Sequence, residues 1–325
     1  MASALFRCGV AMILSAILLA SPADAASQRE ADDCYKDSDT DSTIAGCTAV
    51  LQFAKLSQEL RAAAHYNRGG AYQTKGDYER AIADFSATIQ IDPKYILAHF
   101  NRGTVYHATG GYDRAIADYS EAIQIDPKYA VGYNSRGVAY RDTGDNDRAV
   151  ADYSVAIHLD PNFAIAYNNR GVSYRDKGDN NRAIADFDEA IRIDPKYAVA
   201  YNSRGATYGN NGDHDRAISD FSEAIQINPK YALAYSNRGN SYRAIADFNE
   251  AIRIDPKYAF AYNNRGNVYR IKGNYDRAIT DFNDAIRIDP NYAMAYNNRG
   301  LTHQAKGDND RAMAAFNEAK RLGSK

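Results

Sequence analysis

The stretch that decides the fold is AIAYNNRGVSYRDKGDNNRAIADFDEAIRIDP, residues 164–195. Tyr167, Gly171 and Tyr174 fall at i, i+4 and i+7 on one face of a helix, and Ala183, Phe187, Ala190 and Ile191 set out a second face after a break. The break is Gly178-Asp179. Glycine enters left-handed dihedrals freely and ends the first helix, while the aspartate carboxylate accepts the free N–H groups that open the second. Asp194-Pro195 stops that second helix, because a residue before proline is pushed out of the α region. Gly171 sits inside a helix, where glycine costs about 1 kcal/mol against alanine, so its presence predicts close approach of the two helices.

The same pattern recurs along the chain. Pro93, Pro127, Pro161, Pro195, Pro229, Pro256 and Pro290 are spaced by 34 residues, except for one interval of 27. Glycines from Gly69 to Gly300 keep that register, with a tyrosine three residues on from Tyr72 to Tyr269 and His303 in the last copy. Each copy then carries an alanine, from Ala81 to Ala312, and an aromatic four later, from Phe85 to Phe316. A repeated helix pair of this length stacks into an array in which each copy buries its apolar face on the next.

GxxY, then alanine, then an aromatic four on, then proline, at a 34-residue period, resembles the tetratricopeptide repeat (TPR). The resemblance covers residues 62–325, about four-fifths of the chain. It divides them into eight units: 62–95, 96–129, 130–163, 164–197, 198–231, a shortened 232–258, 259–292 and 293–325. What it implies is an all-α fold, a right-handed superhelical solenoid of helix-turn-helix repeats, with a concave groove lined by each unit's first helix.

The shortened unit reads GNSYRAIADFNE at 239–250, seven residues fewer between tyrosine and alanine than GVAYRDTGDNDRAVADYS at 137–154. The missing residues carry the Gly-Asp turn and the second helix's cap. Seven residues are close to two α-turns, so one reading fuses the two helices, with Tyr242, Ile245, Phe248 and Ile252 in one stripe, and splays units 1–5 from units 7–8. The other ends the first helix at Gly239, caps the second with Ser241 and keeps a shorter hairpin.

Composition bounds the function. With 45% hydrophobic and 25% charged residues the chain has ample material for a core, and a net charge of −2 with pI near 6.3 argues against nucleic-acid binding. Residues 1–25 hold one arginine, an apolar run from Gly9 to Ala20 and the A-x-A site Ala23-Asp24-Ala25, which predicts a secretory signal peptide. That run is short of the ~20 residues that span a bilayer, and no second one follows, so the expectation is a periplasmic or secreted mature chain without a membrane span.

Cys34 and Cys47 remain after the signal, and an even pair in an exported chain favours a disulfide. Their separation of 13 equals that of Tyr72 and Phe85, with SDTDST in the turn between them. Residues 26–61 are therefore expected to form a degenerate capping repeat, its helical pair in 27–51, with the disulfide in place of the core aromatic pair.

Within each first helix one polar dipeptide is almost constant: Asn134-Ser135, Asn168-Asn169, Asn202-Ser203, Ser236-Asn237, Asn263-Asn264 and Asn297-Asn298, with Asn67 and Asn101 in the first two units. These lie off the Tyr167-Gly171-Tyr174 face and are expected on the groove side. An amide both donates to and accepts from a peptide backbone, so such a ladder can hold an extended chain without reading its sequence. The ladder is similar to the asparagine-lined TPR groove of the O-linked N-acetylglucosamine transferase. That resemblance carries over to Asn67, Asn101, Asn169, Asn237, Asn264 and Asn298, and Ser135 and Ser203 depart from it. The competing account makes asparagine a filler that satisfies neighbouring helix ends.

A carboxylate clamp for chain ends is not expected, since Tyr66, Phe100 and Asn134 stand where its lysines would. Arg141, Arg175, Arg243 and Arg270 could add scattered charge but read first as a solvated face. The arginine before each glycine, Arg68 to Arg299, recurs in step with Asp84 to Asp281, and the aspartate is missing only at Ala315. An Arg–Asp pair between the two helices of each unit follows as a structural expectation.

The six histidines fall at five repeat positions, and His65 and His99 occupy the aromatic column of Tyr133 and Tyr167. No H-x-x-x-H pair, nucleophile elbow or phosphate loop is present, so neither catalysis nor a cofactor or metal is expected. The expected function is a noncatalytic scaffold that binds a protein or peptide segment. The alternative is end-to-end assembly through the last helix, from about Asp310 to Leu322, whose Met313 and Phe316 lack a following repeat; this leaves an oligomer open.

Overall fold

The computed structural model describes residues 22–36, 39–53, 55–242 and 244–323, so most of the expected signal peptide, and Arg243, lie outside the described residues. These form eighteen helices and no strand. In chain order they begin with α1 (Pro22–Tyr35), α2 (Thr40–Val50), α3 (Gln58–Thr74), α4 (Tyr78–Ile91), α5 (Ile96–Ala108) and α6 (Tyr112–Ile125). Next come α7 (Ala130–Asp142), α8 (Asn146–Leu159), α9 (Ala164–Asp176), α10 (Asn180–Ile193), α11 (Ala198–Asn210) and α12 (His214–Ile227). The last six are α13 (Ala232–Tyr242), α14 (Ile245–Ile254), α15 (Ala259–Ile271), α16 (Tyr275–Ile288), α17 (Ala293–Ala305) and α18 (Asn309–Gly323).

The chain parts into two compact units, one up to Ser173 and one from Tyr174. In the first, α1 packs on α2, α3 on α4, α5 on α6 and α7 on α8; in the second, α11 on α12, α13 on α14, α15 on α16 and α17 on α18. From α3 on, each of these hairpins is closed by the aromatic of its second helix lying on the glycine of its first. A Cβ added to Gly266 would stand 2.9 Å from Cε1 of Phe282, whose side chain is fully buried. Glycine is needed there for space, as its place inside the helix predicts. The turn follows its expected chemistry too: Gly212 has φ of 81°, and Asp213 accepts from the N–H of Arg216 at 3.1 Å. At the other end, Asp194 accepts at 2.9 Å from the N–H of Lys196, which holds the chain over the proline.

At the N-terminus α1 and α2 form a hairpin joined by a Cys34–Cys47 disulfide. Ala31, Tyr35, Val50 and Leu60 pack around it, and the Tyr35 hydroxyl donates to the Leu60 carbonyl at 2.8 Å. The bridge closes a short loop, and restricting the unfolded chain in this way stabilises by about 3 kcal/mol. Reductant should lower the first melting transition of the purified protein, and an unchanged melt would rule the bridge out as a staple.

The shortened unit is a hairpin, so the fused-helix reading is corrected. α13 ends at Tyr242, and Ala244, at φ −92° and ψ 109°, leads extended backbone into α14. Two contacts explain this outcome. Asp247 receives Nε and Nη2 of Arg238 at 3.0 and 2.9 Å, and Phe248 lies on Gly239, where a Cβ would stand 3.2 Å from its ring. A continuous helix would hold residues nine apart some 13 Å from each other and lose both contacts. The hairpin reading itself needs amending. Ser241 stays inside α13 and bonds back to the Asn237 carbonyl, and α14 has no side-chain cap.

Tyr153 fills the position taken by phenylalanine in most units, and its buried hydroxyl has no hydrogen-bond partner among the described residues. An unpaired buried hydroxyl costs about 1–3 kcal/mol. Tyr153→Phe should therefore raise the melting temperature by a few degrees, and a lower one would reject the account.

Candidate protein-binding face

The arginine before each glycine fixes how the first helices sit. In the first unit Arg102 places Nε and Nη2 on the Asp118 carboxylate at 2.8 and 2.7 Å, and Arg136 does the same to Asp152 at 2.7 and 2.8 Å. In the second unit Arg204 holds Asp220 at 2.8 and 2.7 Å, and Arg265 holds Asp281 at 2.9 and 2.6 Å. The expected intra-repeat pair is present, and the third nitrogen adds what the sequence reading missed. Nη1 of Arg102 donates to Ser86, of Arg136 to Ser120, of Arg204 to Asp188 and of Arg265 to Asn249, each on the second helix of the preceding repeat. One planar fork thus ties three helices, a geometry that lysine cannot reproduce.

The asparagines divide into two sets by depth. Asn134, Asn168, Asn202 and Asn263 are buried, so they cannot present their amides to a bound chain, and their expected place in a peptide site is corrected. Asn134, Asn202 and Asn263 sit where successive helices meet and act as rungs between repeats, while the buried Asn168 Oδ1 has no hydrogen-bond partner among the described residues. Asn169 Nδ2 donates to Asn134 Oδ1 at 3.0 Å, Asn237 to Asn202 at 2.9 Å and Asn298 to Asn263 at 3.0 Å. Where the first position is not asparagine the rung is improvised: Asn101 donates to the Tyr66 hydroxyl at 2.9 Å, and Asn67 to the Cys34 carbonyl at 3.0 Å. In each of these rungs one half of the donor amide is taken up between repeats. Asn67, Asn101, Asn169, Asn237, Asn264 and Asn298 remain half-buried on the uncovered side. Asn297, the rung position of the last repeat, is exposed.

Beside this second set runs a column the sequence reading did not single out. Six residues before the repeat glycine, from the third repeat on, stand Val131 and Ile165 in the first unit, and Val199, Leu233, Phe260 and Met294 in the second, each 38–57% exposed. The signal was available, because Ile165, Asn169 and Val172 lie at i, i+4 and i+7, off the core face. Charge is confined to the helix ends, where Arg141 pairs with Asp142 at 3.2 Å and Arg175 with Asp176 at 3.3 Å. Arg270 is turned onto Asn267 Oδ1 at 2.7 Å. Tyr66 packs tilted against Tyr95 and Phe100 meets Tyr129 edge-on, so the positions of a carboxylate clamp are filled by packed aromatics. His65 bonds Asp84 at 2.8 Å and His99 is buried, so both histidines belong to the packing of the first unit. Among the described residues no three His, Cys, Asp or Glu side chains group as metal ligands.

The forks make stability depend on pH. Burial pushes the Asp84 carboxyl up, but hydrogen bonds from Arg68 and His65 outweigh it and hold it below the usual range; Arg102 and His99 do the same for Asp118. Such a group adds stability above its unfolded pKa, near 4, and loses it as pH falls through the folded value. Burial prevails at Asp281, which is raised despite Arg265, so its contribution is lost instead as pH rises through that raised value. Melting temperature should fall on acidification below about pH 4. Asp84→Asn should lower it at neutral pH by the equivalent of about 2 kcal/mol and flatten the acid limb, since it leaves the half-buried Arg68 without its carboxylate. An Asp84→Asn profile parallel to the parent would reject the assignment.

Comparison with known proteins bears on the whole array. A TPR repeat model matches residues 71–110, 105–144, 137–174, 173–212 and 266–307, and tetratricopeptide repeat models match 198–231, 247–280, 230–258 and 293–322. No curated protein matches in sequence. Among solved structures, the Cut9–Hcn1 hetero-tetramer of the APC/C superposes with a TM-score of 0.62 at 18% identity, over 94% of this chain and 61% of that one. A tetratricopeptide repeat protein from Parabacteroides merdae gives 0.59 at 21% identity, over 74% of this chain and 98% of that one. MamA is 27% identical over 53% of this chain and 93% of its own, with a TM-score of 0.46. Fork, rung and glycine seat are thus the local chemistry of a known architecture, and this chain belongs to the tetratricopeptide repeat family.

Proposed function

We propose that the protein is a noncatalytic interaction scaffold that, after export by the signal peptide of residues 1–25, binds an extended protein segment along its first helices in the periplasm or outside the cell. One observation carries the reading: the first helices leave uncovered a column of apolar side chains beside a row of half-free amides. The apolar column supplies area, at about 25 cal/mol per Å² removed from water, and the amides supply partners for peptide N–H and C=O groups. Asn169, Asn264 and Asn298 are the amides placed to do this, each with an oxygen or N–H not used by the rungs to Asn134 and Asn263. The buried aspartates that could be mistaken for acid–base groups are held by arginine forks.

Crosslinked capture of envelope proteins by the purified protein, beside a triple variant with Asn169, Asn264 and Asn298 changed to alanine, tests this. A client lost by the variant, with melting temperature within a few degrees of the parent, supports the reading, and equal capture rejects the amide row as the site. End-to-end assembly is favoured by one feature, the exposure of Asn297 and Met313 on the last repeat. Sedimentation showing a monomer at all concentrations would remove it.

A further inference from the structure

One glycine inside a helix of the first compact unit has no use in the packing. A Cβ on Gly69, the repeat glycine of α3, would stand 2.9 Å from Cε1 of Phe85, whereas a Cβ on Gly70 would meet nothing within 4 Å. Glycine is the poorest residue of a helix interior after proline. In the other seven units the same position holds Thr104, Val138, Val172, Ala206, Asn240, Asn267 and Leu301. The fold thus takes a side chain there in seven copies and goes without one in the first. A bare backbone of this kind suits close approach by another molecule.

Gly70 lies in the wall of a cleft of about 310 Å³ between the disulfide hairpin and the first two repeats. Ala63, Asn67 and Gly70 are the first copy of the stripe that Ile165, Asn169 and Val172 form further along. Here Ala63 is buried in the cluster around Cys34 and Cys47, so the stripe starts against a wall instead of running open. Thr40 and Thr43 of α2 line that wall, and Asn67, Thr74 and Asn101 line the rest. Asn67 gives an N–H to the Cys34 carbonyl and Asn101 one to the Tyr66 hydroxyl. Their Oδ1 atoms, and the hydroxyls of Thr40 and Thr43, have no hydrogen-bond partner among the described residues. The one charged residue of the lining, Lys36, is held by Asp32 at 2.8 Å, and Lys75, next to Thr74, is held by Asp41.

We propose that this cleft is a specificity pocket for one amide side chain, asparagine or glutamine, of the segment bound along the first helices. This rests on the reading of the first helices as the binding face, and adds a place where that face reads sequence. An apolar side chain is disfavoured, because it would strip water from two amide oxygens and two hydroxyls and offer them nothing. A carboxylate meets acceptors and a lysine already paired, and a cation finds no carboxylate in the lining. A hydroxyl side chain brings one donor for two amide oxygens. A primary amide brings two donors, for Oδ1 of Asn67 and of Asn101, and an acceptor for a threonine hydroxyl. The bare Gly70 backbone leaves room for the main chain that carries it.

The probes are N-acetyl-glutamine methylamide and its leucine and glutamate counterparts, with binding to the full protein read by saturation-transfer NMR. We expect transfer to the glutamine probe and none to the other two. Gly70→Leu, which fills the cleft with the residue found at Leu301, should abolish that transfer while raising the melting temperature by a few degrees, since it removes a helix-interior glycine that packing does not need. No transfer to the glutamine probe, equal transfer to the leucine probe, or transfer that survives Gly70→Leu overturns the pocket. So does a lowered melting temperature of Gly70→Ala, which would make the glycine structural. The crosslinked capture separates this proposal from the reading beneath it. A client kept by Gly70→Leu and lost by the triple asparagine variant leaves the binding face standing without the pocket, and a client kept by both variants removes the amide row as well.

Discussion

The arginine fork is the interaction on which the array depends. A repeat of two short helices cannot bury enough surface alone, so its stability resides in how each first helix is fixed to the second helices on either side. The fork does both with one side chain, placing two nitrogens on the aspartate of its own repeat and one on a serine, aspartate or asparagine of the repeat before. Its carboxylate is nearly buried, as at Asp281 with 3% exposure, which would be costly without a bidentate partner. Glycine and aromatic then close the same hairpin from the other side. The shortened repeat shows the priority of these contacts, for it gives up its turn and its helix cap and keeps both.

Fixing the first helices leaves their remaining face unused by the fold. The amides nearest the junctions are consumed as rungs, those further out are half free, and an apolar column lies beyond them. Function is legible here as what the packing does not require. Arg68 to Arg299, the glycines and the buried Asn134, Asn202 and Asn263 are explained by neighbours; Val131, Ile165, Leu233, Phe260 and Met294 are not.

Much of this was legible in the sequence, and for identifiable reasons. The 34-residue period, the Gly-Asp turn and the Arg–Asp correlation are local or strictly periodic, so one chain with eight copies supplies its own comparison. The cap was readable because the separation of Cys34 and Cys47 matches that of Tyr72 and Phe85. What failed depended on contacts between copies. The two positions of the polar dipeptide were read together as one groove-facing ladder, yet the first, as at Asn134, is buried by the next repeat and the second, as at Asn169, is its donor. The fused helix at 232–258 was plausible on phase alone, and the reach from Arg238 to Asp247 and the seat of Phe248 on Gly239 decide against it.

The last repeat carries a consequence of its own. Ala315 stands where the second helix of the seven preceding TPR units has the aspartate, and Arg299 is left with its backward arm to Asn283 at 2.8 Å. In a linear array, cooperativity is the ratio of nearest-neighbour coupling to the intrinsic instability of each copy, and a copy that keeps its aromatic on glycine but lacks the arginine–aspartate tie leans more on its neighbour. The opposite end is covalently closed. The chain therefore has a built-in direction of fraying, with its C-terminal hairpin the copy that exchanges its amide hydrogens soonest and the disulfide hairpin the one that resists.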